Sequence, residues 1–115
     1  MTDTFKVLGQ VAPSANTATT LYTVPAATST TVSSIVVCNQ NPTSITFSIW
    51  VAVNGSADDG YGGPQYLYYN VPCTGNNTFV ATMGITLGYS SAGDIIRVQA
   101  SSADVSFNAF GVQIT

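Results

Sequence analysis

Between Thr43 and Gly55 the chain reads TSITFSIWVAVNG. Ile45, Phe47, Ile49, Val51 and Val53 occupy every second position, against Thr46, Ser48, Trp50 and Ala52. A period of two marks a half-buried strand, because successive side chains leave opposite sides of an extended backbone. The alternation returns where Ile96, Val98 and Ala100 oppose Ile95, Arg97 and Gln99. Helix signals do not compete with it. Glu is absent, Lys and Arg together number 2, and no i, i+3, i+4, i+7 apolar stripe persists.

Thr, Val, Ile, Phe and Tyr in short runs between turn residues predict strands at 5–8, 19–24, 31–38, 44–53, 66–71, 77–83, 94–100 and 105–112. A short extended piece at 85–87 joins one of them. Pro25 and Pro42 mark turns or edges, since proline cannot donate to a ladder. Asn54-Gly55 fits a tight turn with positive φ, and Gly60, Gly62, Gly63 and Pro64 form one long irregular loop. About eight short strands at this spacing predict an all-β, antiparallel sandwich or barrel. The 115 residues form one domain, 1–115, without linker, low-complexity tail or internal repeat.

Charge then narrows function. Only 6% of residues are charged and the net charge is −3, which leaves no basic footprint for nucleic acid and no polybasic patch for anionic lipid. No run approaches the roughly 18 apolar residues of a membrane helix. The amino terminus has neither the basic nor the apolar region of an export signal. A free small domain usually keeps a surface about a quarter to a third charged. A polar but uncharged surface suits life in an assembly, where desolvating charge at contacts is costly, and it also suits secreted β-proteins.

The chemical inventory is small. Without histidine the chain lacks the commonest general base and metal ligand, and Ser–His–Asp or Cys–His catalysis is impossible. Lys6, the single lysine, has no nucleophile at recognisable spacing. Paired carboxylates would have to come from Asp3, Asp58, Asp59, Asp94 and Asp104, of which Asp58-Asp59 read as a solvated turn. Asn54, Asp58 and Asp59 are oxygen donors for calcium in principle, but NGSADDGYGG lacks the ligand spacing of a calcium loop. The expectation is therefore no enzyme, no metal and no cofactor. Asp94, after Gly93 at a strand entrance, is expected to hold turn amides and to pair locally with Arg97. Cys38 and Cys73 read as free thiols packed like small apolar residues, with a disulfide as the alternative.

The aromatic residues say more. In QYLYYNVP strict alternation puts Tyr66 and Tyr68 on one face and Leu67 and Tyr69 on the other. Such tyrosines, with the lone Trp50, could stack on sugar rings or serve a protein interface, and core packing is the plain alternative. The candidate interface is Trp50, Ser48, Thr46, Tyr66 and Tyr68. Small neighbours would let a partner sheet approach, with Trp50 as anchor. The alternative is that Trp50 caps its own sandwich beneath a loop.

Five segments stand out: FKVLGQ at 5–10, TTLYTVPAATSTTVSSIVVCNQ at 19–40, TFVATMGITL at 78–87, DIIRVQASSADVSFNAFG at 94–111 and the closing VQIT. They are similar to a family of small tailed-phage virion proteins, encoded in phages of cyanobacteria and other aquatic bacteria. Together they cover well over half of the chain, in order. The block 78–111 is the most specific, and it resembles the last strands of a jelly roll, where a Gly-Asp turn leads into an I-x-V strand. Residues 54–65 carry no part of the resemblance. It implies a jelly-roll-like β-sandwich and a virion structural role, as a capsid decoration (cement) protein. The implied partners are the major capsid protein or other virion proteins, with the chain a homo-oligomer, expected as a trimer. A tail, neck or fibre part is the alternative within the virion, and a free carbohydrate-binding module the alternative outside it. The resemblance brings no catalytic or metal-binding residues.

Overall fold

The alternating runs form eight strands in the computed structural model, which describes residues 1–56 and 65–115. They are β1 (Asp3–Val11), β2 (Thr19–Thr23), β3 (Ser29–Asn39), β4 (Ile45–Ala52), β5 (Tyr66–Cys73), β6 (Thr78–Leu87), β7 (Ile95–Ala100) and β8 (Val105–Ile114). Each predicted strand is present. The piece at 85–87 belongs to β6, because β6 runs on past Gly84 with one extra residue opposite the Val32–Ser34 step of β3.

Two four-stranded antiparallel sheets result, in the orders β1-β8-β3-β6 and β2-β7-β4-β5. Among the described strands only β4 and β5 are both consecutive and paired; every other connection crosses between sheets. Interleaving β8 between β1 and β3, and β7 between β2 and β4, gives the double Greek key of a jelly roll. The chain is thus a single antiparallel β-sandwich.

The core is the inner side of both sheets. Ile35, Val37, Ala81, Phe107 and Ala109 from one meet Phe47, Ile49, Ile96, Val98 and Ala100 from the other, all buried. Phe47 packs its ring 5.2 Å from Phe79 and 6.2 Å from Phe107, a tilted and an edge-on contact of the kind aromatic quadrupoles favour.

Polar ties close the two ends. Asn39, 1% exposed, donates its side-chain amide to the Thr43, Cys73 and Thr74 carbonyls and accepts the Asn41 amide, so one residue joins β3 to the end of β5. At another point between the layers Gln113 donates to the Tyr22 hydroxyl, which is 2.7 Å from the Thr30 hydroxyl. These bonds satisfy groups that would otherwise be costly to bury.

Turn chemistry follows the sequence. Asn54 and Gly55 take φ of 55° and 72°. The Asp94 carboxylate accepts the Asn54 and Gly88 amides at 2.8 and 2.9 Å, the turn-holding role expected of it. Gly93 is needed beside it, because a Cβ there would collide with the Val24 carbonyl. Arg97 donates to Thr20 across the β2–β7 pair. Both cysteines are free thiols. Burial, then the nearby charge of Cys38, pushes the Cys73 thiol above its ordinary range, against a hydrogen bond from the Asn39 backbone.

Candidate functional site

Strand register decides which side chains each sheet turns outward, since directly opposed residues on antiparallel strands share a face. On the β2-β7-β4-β5 sheet, Phe47, Ile49 and Val51 oppose Ala100, Val98 and Ile96 on the inner side. Ser48 therefore pairs outward with Gln99, and Trp50 with Arg97.

Trp50 does not form an exposed contact surface there. The indole is 1% exposed within its own chain, outside the inner core cluster, and meets the edge of Tyr66 at 5.3 Å between ring centres. Its Nε1–H is buried and has no hydrogen-bond partner among the described residues. A contact anchor must be accessible before the contact forms, so of the two readings of Trp50 the partner anchor is corrected and burial within its own chain holds: Trp50 underpins the surface and does not present it. The reason is its position on a central strand, where neighbours on both sides cover a large ring.

Tyr66 and Tyr68 are also separated. Phe47 opposes Val71, Ile49 opposes Tyr68 and Trp50 opposes Tyr66, so β5 carries an extra residue at each of two steps. Asn70 takes φ of 47° at the first. Each bulge reverses the parity of the strand. Tyr68 consequently turns inward, 5.9 Å from Phe79, while Tyr66 and Tyr69 meet outside at 4.5 Å. The sequence pattern alone pairs the wrong tyrosines.

The outward residues enclose a cleft of about 170 Å³. Thr46, Ser48 and Gln99 line its floor, Tyr66, Tyr69 and Asn70 one wall, and Asn16 and Ser101 the other end. Exposure rises from Trp50 through Tyr66, 38%, to Tyr69, 62%, so a buried ring braces a half-buried one, which braces an open one. Thr46, Ser48 and Tyr66 are thus brought together as expected, Trp50 lies beside them out of reach, and Tyr68 is absent. Tyr69 and Gln99 were missed. Gln99 was legible as an outward member of the β7 alternation; Tyr69 was hidden by the bulges. Asp58 and Asp59 lie outside the described residues, and Asn54 commits its side-chain oxygen to the Ser91 and Ala92 amides.

The β1-β8-β3-β6 sheet presents a different face. Its outward register joins Phe5 to Val112, Val7 to Phe110 and Val36 to Val80. Around them stand Thr31, Ser34, Thr82, Asn108 and similar uncharged groups. Asp3, at the amino-terminal corner opposite Ile114, is the charged residue on that side among the described residues. Phe5 and Val80 are 80% and 56% exposed.

Among the described residues no cluster of His, Cys, Asp or Glu is placed to hold a metal ion. Comparison of the chain with protein-family models, with curated proteins and with solved structures gave no match.

Proposed function

We propose that this chain is a non-enzymatic virion structural protein, a capsid decoration protein that seats on the outer capsid and stabilises the assembled shell. The observation that carries the reading is the outward face of the β1-β8-β3-β6 sheet, where Phe5, Val7, Val36, Val80, Phe110 and Val112 lie among hydroxyls and amides, and where among the described residues the register places one charged side chain, Asp3 at a corner. Covering such a face removes apolar area from water at about 25 cal/mol per Å² and desolvates almost no charge. The similarity of the segments at 5–10, 19–40 and 78–111 to small phage virion proteins supports the same reading, with a trimer as the expected solution form and the major capsid protein as partner. A protein that binds the assembled shell and not its free parts shifts the equilibrium toward the shell by mass action.

The test is a charge placed on the proposed docking face. Val80→Lys lies on an exposed position of an edge strand, so the isolated protein should keep its melting temperature, within about 0.5 kcal/mol of stability. Its copy number on purified virions should fall by about tenfold or more, because a lysine buried at a contact is desolvated. Unchanged occupancy, or absence of the wild-type chain from imaged particles, overturns the proposal.

A further inference from the structure

The cleft on the β2-β7-β4-β5 sheet has no part in that docking. Among the described residues its lining is two tyrosine rings, the amides of Gln99, Asn70 and Asn16, the hydroxyls of Thr46, Ser48 and Ser101, and Phe47 and Ala100, both buried in the core, with no carboxylate or ammonium. Several of these groups are already used inside the protein. Ser48 Oγ accepts the Asn70 backbone amide and Ser101 Oγ accepts that of Thr46. Among the described residues the Gln99 side-chain amide and the Tyr66 and Tyr69 hydroxyls have no hydrogen-bond partner, and all three side chains line the cleft.

From this we infer that the cleft is a binding site for a neutral saccharide, taking one sugar ring of a longer glycan. A pyranose has a face of C–H groups that fits the electron-rich face of an aromatic ring, and an edge of paired hydroxyls. Tyr69, open and held by Tyr66, supplies the ring; Gln99 supplies a donor and an acceptor on one planar amide, the pairing that adjacent hydroxyls require. The volume of about 170 Å³ falls below the roughly 300 Å³ of a drug-sized pocket, which fits a single ring and a modest affinity. Among the described residues the lining holds no cationic group, which disfavours acidic sugars, phosphates and single-stranded nucleic acid. A proline-rich peptide also docks against aromatic residues, but it needs an apolar slot, and this floor is hydroxyl and amide.

The aromatic order gives the site its rigidity. Trp50 touches no ligand; it is a positioning residue that fixes Tyr66, which in turn fixes Tyr69. A platform ordered before binding loses less entropy when the ligand arrives.

Titration of the full chain with maltotetraose, cellotetraose and chitotriose, followed by saturation-transfer NMR and calorimetry, tests the site. At least one should bind with Kd of roughly a millimolar or tighter. Tyr69→Ala and Gln99→Ala should each weaken it by about tenfold at unchanged melting temperature, while Val80→Lys on the opposite sheet leaves it intact. The inference is overturned if none of the three sugars saturates, if binding survives Tyr69→Ala, or if decaproline or polygalacturonate binds in their place.

Discussion

Trp50 shows how a residue's neighbours, and not its type, set its role. A lone tryptophan on the polar side of a strand reads as a surface anchor or as a buried cap; here the ring is sealed against Tyr66, and its N–H has no partner among the described residues. Two costs of different origin can then be separated. Trp50→Ala removes a buried ring and should destabilise the isolated protein by about 3–5 kcal/mol in urea denaturation. Trp50→Phe keeps most of the apolar volume and deletes a donor whose unmade bond costs about 1–3 kcal/mol, so it should lose less than half as much. Emission from this single tryptophan should be blue-shifted and poorly quenched by acrylamide. A cost below about 1 kcal/mol for the alanine variant would place the indole outside, the other position the sequence leaves open. Asn39 is the polar counterpart. Its amide faces three carbonyls, so Asn39→Asp sets a carboxyl against them and should cost about 3 kcal/mol or more. The loss should deepen as pH rises and the introduced group ionises, which chemical denaturation at pH 4 and pH 7 would register.

Elements were far more legible than faces. β4 and β7 could be placed from alternation alone, because β4 and β7 pair in step from Phe47–Ala100 to Ala52–Ile95 without a bulge. The Asn54-Gly55 turn and the Asp94 entrance were equally readable, since positive φ and unsatisfied amides select those residue types. β5 was not. Its extra residues are set by the register against β4, a long-range fact that no window of QYLYYNVP contains, and each one exchanges the inward and outward sets. The candidate set shows the effect: Thr46, Ser48 and Tyr66 line the cleft, Tyr68 is turned inward where Tyr69 lies outside, and of the two readings left open for Trp50 the buried one holds. The pairing order of the sheets is likewise not legible in periodicity, since alternation gives strands without giving neighbours. At the strand ends, Cys73 adds a pH signature. Its thiol is raised in the folded chain, by burial first and Cys38 second, so the folded state holds the proton more tightly than the unfolded one. That contribution is complete below the ordinary thiol pKa of about 8.5 and is lost as pH climbs through the higher folded value. Stability measured from pH 7 to 10 should therefore decline on the alkaline side, and Cys73→Ala should flatten the decline even while it lowers the plateau.

The whole molecule is a thin slab, 45 × 33 × 19 Å, and its two broad sides are chemically unlike. One, with Asp3 at its corner, has apolar pairs running across it; the other carries Arg97 and the tyrosine-lined cleft. A sandwich is well suited to this separation, because alternate residues of one strand serve the core and the outside independently, and the core isolates the two exteriors from each other. If the apolar side seats on a shell, the cleft turns outward on every copy, and a site of millimolar strength becomes useful through repetition: linked sites can exceed single-site affinity by about 10²–10⁴ where geometry allows several to engage. The two sides should then fail separately. Val80→Lys should remain able to bind a neutral oligosaccharide as free protein while disappearing from particles. Tyr69→Ala should decorate particles at normal copy number, yet those particles should no longer be retained on a column of the immobilised sugar. Loss of both properties in either variant would mean that a single surface serves both, and the assignment of docking to one sheet and recognition to the other would have to be abandoned.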